Sequence, residues 1–252
     1  MVGTHNFKGK LYDTTVDTSD IANMRSNNVV VNATTVGTNS WNNAAFGVVN
    51  GAYSAITGAY DGGGFRPNSA QNFGATITGS LNSIESKTAS SNYSGIANSI
   101  VGVANRTFNS NGSLIYGAGN EITNSVEDIY SAPTSGGNSP EALAQNLRRV
   151  IKESNGGGST MAFGGGNRAD YTLRTAMIGV NNTVTGTSRR PSTYNSITGF
   201  KNVATNVNHV SIIGSENEIE NTDDALVLGN KRKLAGANGS VIPVSYTHLT
   251  LP

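Results

Sequence analysis

Cysteine is absent from this chain of 252 residues, which removes disulfide cross-links and thiolate metal sites but says little about compartment. Charge is scarce as well: 13% of residues are charged, 7% are aromatic and the formal net charge is +1. Such a balance offers no electrostatic footprint for nucleic acid. No apolar run approaches the roughly 18 residues that a membrane-crossing helix needs. Three histidines are present; His5 and His209 lie far apart, without the spacing of a metal site or a catalytic triad. With so few large apolar groups, one deep globular core is hard to fill. Recurring Ile and Val together with low charge also speak against a solvated disordered chain. What is abundant is Asn, Gly, Ser and Thr, together almost half of the residues.

These residues are ordered into a repeat. The chain returns again and again to a short apolar strand ending in Gly, with Asn three residues later. SIVGVANRTF from Ser99, SLIYGAGNEI from Ser113, AMIGVNNTV from Ala176, SITGFKNV from Ser196 and SIIGSENEI from Ser211 are examples. Ten glycines fit the frame: Gly47, Gly58, Gly79, Gly102, Gly117, Gly164, Gly179, Gly199, Gly214 and Gly229. Gly102 to Gly117, Gly164 to Gly179, Gly199 to Gly214 and Gly214 to Gly229 are steps of 15 residues. Two residues before each Gly stands an aliphatic side chain (Ala45, Ile56, Ile77, Ile100, Ile115, Ala162, Met177, Ile197, Ile212, Val227), which marks a position buried in every coil. The residue just before Gly points to the opposite face and varies in type, from Phe46 and Thr57 to Tyr116, Ile213 and Leu228. Gly permits a positive φ or a close backbone approach at the corner, and Asn suits the turn beyond it. A second apolar residue follows at Ile84, Ile122, Val184, Ile219 and Leu234. The repeat therefore predicts two short strands and two turns per 15 residues.

A coil this short cannot make three long faces at about 3.3 Å per strand residue. Pairs such as Met177–Ile178, Ile212–Ile213 and Val227–Leu228 place apolar groups on both strand faces. One face packs inside the coil, and the other is expected to be covered by association with further copies.

The serial S/A-Φ-x-G-x-x-N-x-Φ units, with the run DDALVLGNKRKLAGANGSV from Asp223 to Val241, resemble the YadA-like head of trimeric autotransporter adhesins. The resemblance covers Phe46 to Val241 apart from insertions and is faint before that. It implies an all-β, left-handed parallel β-roll (a solenoid) of about 15-residue, two-strand coils, with three chains side by side as a homotrimer. It further implies a head held off a bacterial outer membrane by a coiled-coil stalk and barrel anchor, so the expected location is the bacterial cell surface. No neck, stalk heptads or barrel strands occur in this chain.

Residues 1–45 are read as an N-terminal segment, open to further degenerate coils, and 46–243 as the head repeats. The last nine residues, VSYTHLTLP (244–252), continue none of the preceding pattern and resemble one translated frame of a transposase-type sequencing adapter; the expectation is a fragment whose native sequence stops at about Ile242. The longer repeats gain residues in a single phase: Asp61 to Asn72, Glu85 to Asn98, Asn124 to Thr160 and Gly186 to Tyr194. Insertions in one phase of a solenoid emerge on one side. The third, at about 124–160, predicts a helix with Ser139 as cap, Pro140 at its first position, Glu141 at its positive end and a stop at Asn155 and Gly156 to Gly158. Its stripe of Leu143, Leu147, Val150 and Ile151 suits a flap packed on the roll; Arg148, Arg149 and Lys152 would make the same helix a recognition element.

Other candidates weaken on inspection. Gly62 to Gly64, Gly156 to Gly158 and Gly164 to Gly166 lack the Lys-Ser/Thr of a phosphate loop. Glu216, Glu218 and Glu220 alternate onto one strand face, and Asp223–Asp224 is a second acidic pair; a glycosidase pair is the lesser reading of either. Arg189–Arg190–Pro191 reads as an exposed loop open to trypsin-like proteases. No catalytic, cofactor or metal residues are assigned, and ligand-binding residues are left unassigned. The expected function is a non-enzymatic adhesin head that binds host matrix protein, cell-surface glycan or other bacteria by multivalent contact. The expected partners are two further copies and an extracellular ligand, with no nucleic acid and no direct membrane insertion. A β-helical polysaccharide-active enzyme, or a structural solenoid of a phage tail or surface fibre, are the alternatives.

Overall fold

A computed structural model describes residues 2–4, 7–8, 33–44, 46–57, 72–86, 94–127, 129 and 139–243. His5, Ala45, Gly58, the Gly62–Gly64 triplet and the tail 244–252 lie outside the described residues. So do 61–71 and 87–93 of the first two predicted loops, and 128 and 130–138 of the third.

Each repeat lays down a five-residue strand, such as Ser196–Phe200, turns, and adds a three-residue strand, such as Val203–Thr205. The chain then returns one step along the stack. The longer strands form a 12-stranded parallel sheet, here the wide sheet, and the shorter ones an 11-stranded parallel sheet, the narrow sheet. The result is an all-β parallel solenoid with one helix in the described residues, Pro140–Glu153. The pairing begins ahead of the units read from sequence: Val2–Thr4 pairs with Thr34–Thr38, and Phe7–Lys8 with Trp41–Asn42. A third side carries only brief pairing, Thr172–Leu173 with Ser192–Thr193 and single bridges from Thr193 to Asn208 to Asp223.

Strand alternation fixes what is inside. Val49, Ile77, Ile100, Ile115, Ala162, Met177, Ile197, Ile212 and Val227 project inward from the wide sheet and are fully buried. From the narrow sheet they meet Ile56, Ile84, Ile122, Ala169, Val184, Ala204 and Ile219, forming one apolar cluster along the stack. Each fully buried Ile contributes on the order of 1.5–3 kcal/mol. Thr35 takes the inward position in the Thr34–Thr38 strand, an exception to the aliphatic rule.

The register also corrects the frame at the N-terminal end. Gly37 and Gly51 pair in the glycine column, and Asn50 opposite Thr78 carries that register on to Gly79. Gly47 is not a member: it lies before the Val48–Ala52 strand, and Phe46 is a turn residue with φ 56° rather than the outward strand residue expected. Ile56 and Thr57 belong to the narrow sheet. Asn50 stands three residues after Gly47 and so imitates the repeat, whereas the true column at Gly37 and Gly51 is followed three residues later by Ser40 and Ser54.

The column requires glycine for a steric reason. Gly117 has φ 143°, and a Cβ added there would overlap the carbonyl oxygen of Gly164 in the next coil. That carbonyl in turn receives the key polar contact. Asn120 Nδ2 donates to Gly164 O (2.8 Å) and to Asn105 Oδ1 (3.0 Å), while Asn120 Oδ1 accepts from the backbone and side-chain N–H groups of Asn167 (3.0 and 2.9 Å). The same bond to a glycine carbonyl recurs at Asn82, Asn105, Asn167, Asn182, Asn202 and Asn217. Ser40 and Ser54 make its shorter equivalent in the first coils. The result is a buried amide ladder parallel to the stack axis.

Removing one rung strands polar groups on both sides of it. Asn120→Ala should lower unfolding free energy in urea by about 2–4 kcal/mol, whereas Asn50→Ala, on an exposed strand position, should stay within about 0.5 kcal/mol. Equal effects would show that the ladder does not carry the stability argued here.

Candidate functional site

The strands of the wide sheet contain no Asp, Glu, Lys or Arg in any of their twelve segments, from Val2–Thr4 to Val241–Ile242. Their outward columns carry Val101, Tyr116, Phe163, Ile178, Ile213 and Leu228 just before the glycine, and Val103, Val180 and Phe200 just after it. Tyr116 is 59% exposed, Ile178 49% and Ile213 55%, in alternate coils of one face with Phe163 and Thr198 between them. Scattered exposed apolar residues are ordinary, but a contiguous apolar face without charge is a feature of interaction surfaces. The residue before each glycine is legible as outward-facing; the column after it is not, because Val103, Val180 and Phe200 share it with Ala118, Gly165 and Ser215.

The narrow sheet is the opposite in character. Its outward positions include Glu85, Arg106, Glu121, Arg168, Asp170, Glu218, Glu220 and Lys233. Arg106 bridges neighbouring coils, with Nη2 at 2.8 Å from Glu85 Oε2 and Nη1 at 2.8 Å from Glu121 Oε1, and its guanidinium lies 5.2 Å from the Phe108 ring centre. Burial alone would push the Glu85 carboxyl up; hydrogen bonds from Arg106 and Ser83 and the charge of Arg106 outweigh it, holding the group below the usual carboxylate range. The bond to Glu85 is the main cause that raises the Arg106 guanidinium above its ordinary value. Lys233 meets Glu218 at 2.8 Å further along. Glu218 and Glu220 share the solvated outward face, but Glu216 does not join them: it occupies a left-handed turn, φ 57°, facing Lys231.

The third side holds the insertions, which all fall between a narrow-sheet strand and the next wide-sheet strand. The helix begins as expected, with Ser139 in extended geometry accepting from Ala142 N–H and Pro140 in the first turn. The bond with Ser139 also lowers the Glu141 carboxyl. Left-handed Asn155, Gly156 and Gly157 end it. Leu147, Val150 and Ile151 pack on a second small core of Phe73, Ile96 and Ile129, so the helix is a flap seated on the coils. Arg148, Arg149 and Lys152 are exposed on its outer side, with Arg149 paired to Glu153 at 3.0 Å.

Two residues before each wide strand runs a column held at positive φ irrespective of residue type: Phe46, Gly74, Ala97, Gly112, Ser159, Arg174, Tyr194, His209, Asp224 and Gly239. Beside the helix the column is small at Gly74, Ala97 and Gly112. Past it, four long side chains form a ridge. Arg174 ion-pairs with Glu127, donates to Asn155 O (3.1 Å) and lies 5.4 Å from the Tyr194 ring centre. Tyr194 stacks on His209 at 4.9 Å, and His209 Nδ1 is 3.5 Å from Asp224 Oδ1. The sequence offered only a weak signal for this ridge: Asp and His are enriched at left-handed positions, but Arg and Tyr are not. Asp223 and Asp224 have different partners: Asp223 is held by Arg190 (3.1 Å) and Asn208 (2.8 Å), while Asp224 faces His209.

Among the described residues, no group of three or more His, Cys, Asp or Glu is arranged to hold a metal ion. No helix is long and apolar enough to cross a membrane there, which leaves β-barrel spans untouched. Set against models of known families, curated proteins and solved structures, the chain finds no match.

The sign of the Glu85 shift gives a pH prediction. Because the folded state holds this carboxyl low, its contribution is present above the unfolded carboxylate range and is lost as pH falls through the lower, folded value. Both partners are partly exposed (side chains 31% and 40%), so screening limits the contribution to about 1 kcal/mol or less. Glu85→Gln should lower stability at pH 7 by up to that amount and reduce the acid-side loss; urea titrations at pH 7 and pH 3 would reveal an undiminished pH slope if the pairing were immaterial.

Proposed function

We propose that this chain is the head of a trimeric surface adhesin of the YadA-like type, a left-handed β-roll in which three copies associate through the outer face of the wide sheet. The observation that supports it is the contrast between the two sheets: one is uncharged over twelve strands, while the other carries alternating ion pairs. A soluble surface of this size without charge is costly to leave wet, and a cyclic trimer removes it by bringing the same face of each copy to the axis. The narrow sheet and the third side then face outward. They present the charged rungs, the ridge from Arg174 to Asp224 and the basic edge of the helix to an extracellular ligand: host matrix protein, cell-surface glycan or another bacterium.

Adhesion on such a surface works by repetition. Threefold display of weak contacts raises avidity without a deep pocket or a catalytic group. On this reading the head is carried at the bacterial cell surface on a stalk and an outer-membrane anchor.

Adjacent residues separate association from folding. Ile212 is fully buried and Ile213 is 55% exposed on the uncharged face. By light scattering, the chain should have three times its 26.1 kDa mass. Ile213→Asp should leave melting of the coils largely intact while reducing the particle to a monomer; Ile212→Asp should cost several kcal/mol and unfold the neighbouring coils. A folded wild-type monomer, or Ile213→Asp remaining trimeric, would overturn the proposed interface.

A further inference from the structure

The loop Gly186–Pro191 contains three features that its role as a connection does not require. It presents two adjacent arginines, Thr187 to Arg190 are all exposed, and Arg189 makes no hydrogen bond or ion pair among the described residues. We propose that this loop is a processing site for a trypsin-like endoprotease, cut between Arg189 and Arg190 to give a two-piece solenoid that stays assembled. The reaction is hydrolysis: one water adds across the amide, leaving a carboxylate on Arg189 and a new amino terminus on Arg190.

Protease clefts accept an extended segment, so what matters is how firmly the backbone is tied down. The coil bonds stop at the edges of the loop. Gly186 N–H donates to Asp170 O (2.9 Å), and Ser192 N–H donates to Tyr171 O (3.0 Å). Between them, Thr187 N–H donates to Arg190 O (2.9 Å) and Arg190 N–H donates to Thr187 Oγ1 (3.0 Å), both internal to the loop. The remaining restraint is the exposed Arg190–Asp223 ion pair at 3.1 Å. Opening the loop therefore breaks no sheet pairing.

The other basic clusters lack this freedom. Arg148 and Arg149 are within the helix, and Lys231 to Lys233 are tied to the preceding coil by Lys231 N–H to Ser215 O and Arg232 N–H to Asn217 Oδ1. Chemistry also selects the bond within the loop. The acidic pocket of a trypsin-like protease takes an arginine, and the free guanidinium of Arg189 can enter it. Cleavage after Arg190 is blocked by Pro191, which has no N–H and a fixed φ.

The cut need not release either piece. It falls between Thr183–Thr185 and Ser192–Thr193, and strands on both sides of it pair with one another: Ala176–Val180 with Ser196–Phe200, Thr183–Thr185 with Val203–Thr205, and Thr172–Leu173 with Ser192–Thr193. The loop is on the third side, away from the uncharged face, so the inference does not depend on the oligomeric state.

The test is limited digestion of the full chain with trypsin under native conditions, with fragment masses read by mass spectrometry and assembly by size exclusion. A new terminus at Arg190 should appear at least about tenfold faster than cuts at Arg148, Arg149 or Lys231 to Lys233, and the two pieces should co-elute. Arg189→Gln should abolish this cut without changing the melting temperature, and Pro191→Ala should admit a second cut after Arg190. Cleavage within the helix or at Lys231 to Lys233 ahead of Arg189–Arg190 would overturn the proposal. So would a cut that appears only once the circular dichroism of the coils is lost, or fragments that separate on nicking.

Discussion

One polar contact sets the dimensions of everything else: the buried asparagine amide that reaches a glycine carbonyl in the following coil. At each corner between the wide and narrow sheets the chain must turn sharply while stacked against an identical turn. A backbone carbonyl at that point, buried and unpaired, would cost more than the turn could recover. Asn has one group that donates and one that accepts at the correct reach, so it joins the glycine carbonyl and the next Asn in both directions at once. The glycine is required by the same closeness, because a Cβ on Gly117 would occupy the space of the Gly164 carbonyl. Gly and Asn at a spacing of three are therefore one device seen twice.

With the corner fixed, strand alternation distributes the rest. A coil with so short a perimeter has a thin interior, filled by one inward residue from the wide strand and one from the narrow strand, with smaller contributions such as Ala75, Val207, Val210 and Ala225 from the third side. The alternate strand residues face out, and the two outer faces need not be alike. The narrow sheet uses its outward positions for opposite charges in successive coils, as at Glu85, Arg106 and Glu121, which favours correct register over slippage. The wide sheet obtains its register from glycine and amide alone and carries no charge. That division is what makes its outer face the surface on which the proposed association rests.

The regular part of this arrangement was legible because its signals are local and periodic. Ile77, Ile100, Ile115, Ile197 and Ile212 recur at a fixed distance from Gly and Asn, and the helix announces itself through Ser139, Pro140 and Asn155. The first coils were misframed at Gly47 because Ser40 and Ser54 do the work of Asn with a shorter side chain, so the more conspicuous Asn50 suggested a false register. The third side was hidden for a different reason. Its left-handed column accepts Arg174 and Tyr194, residues that do not advertise positive φ, beside His209 and Asp224, which favour it only weakly; there the stacked neighbours on either side override the local preference. Glu127 and Arg174, set far apart in sequence by the insertion between them, meet because the coils before and after it stack directly on one another.

That insertion also explains why a repetitive frame can present a non-repetitive surface. Where the helix sits against the coils, the left-handed column is reduced to Gly74, Ala97 and Gly112, and apolar groups such as Phe73 and Ile96 receive Leu147, Val150 and Ile151. Beyond the helix the same column grows into stacked and paired side chains. The backbone is unchanged between the two regions; only what covers it differs. Because insertions leave the frame at a position where the amide ladder does not run, they alter shape and chemistry on one side without disturbing the core or the uncharged face opposite. On the proposed reading this separates two demands that would otherwise conflict: a face that must be identical in every copy to pack around an axis, and a face free to vary with whatever it binds.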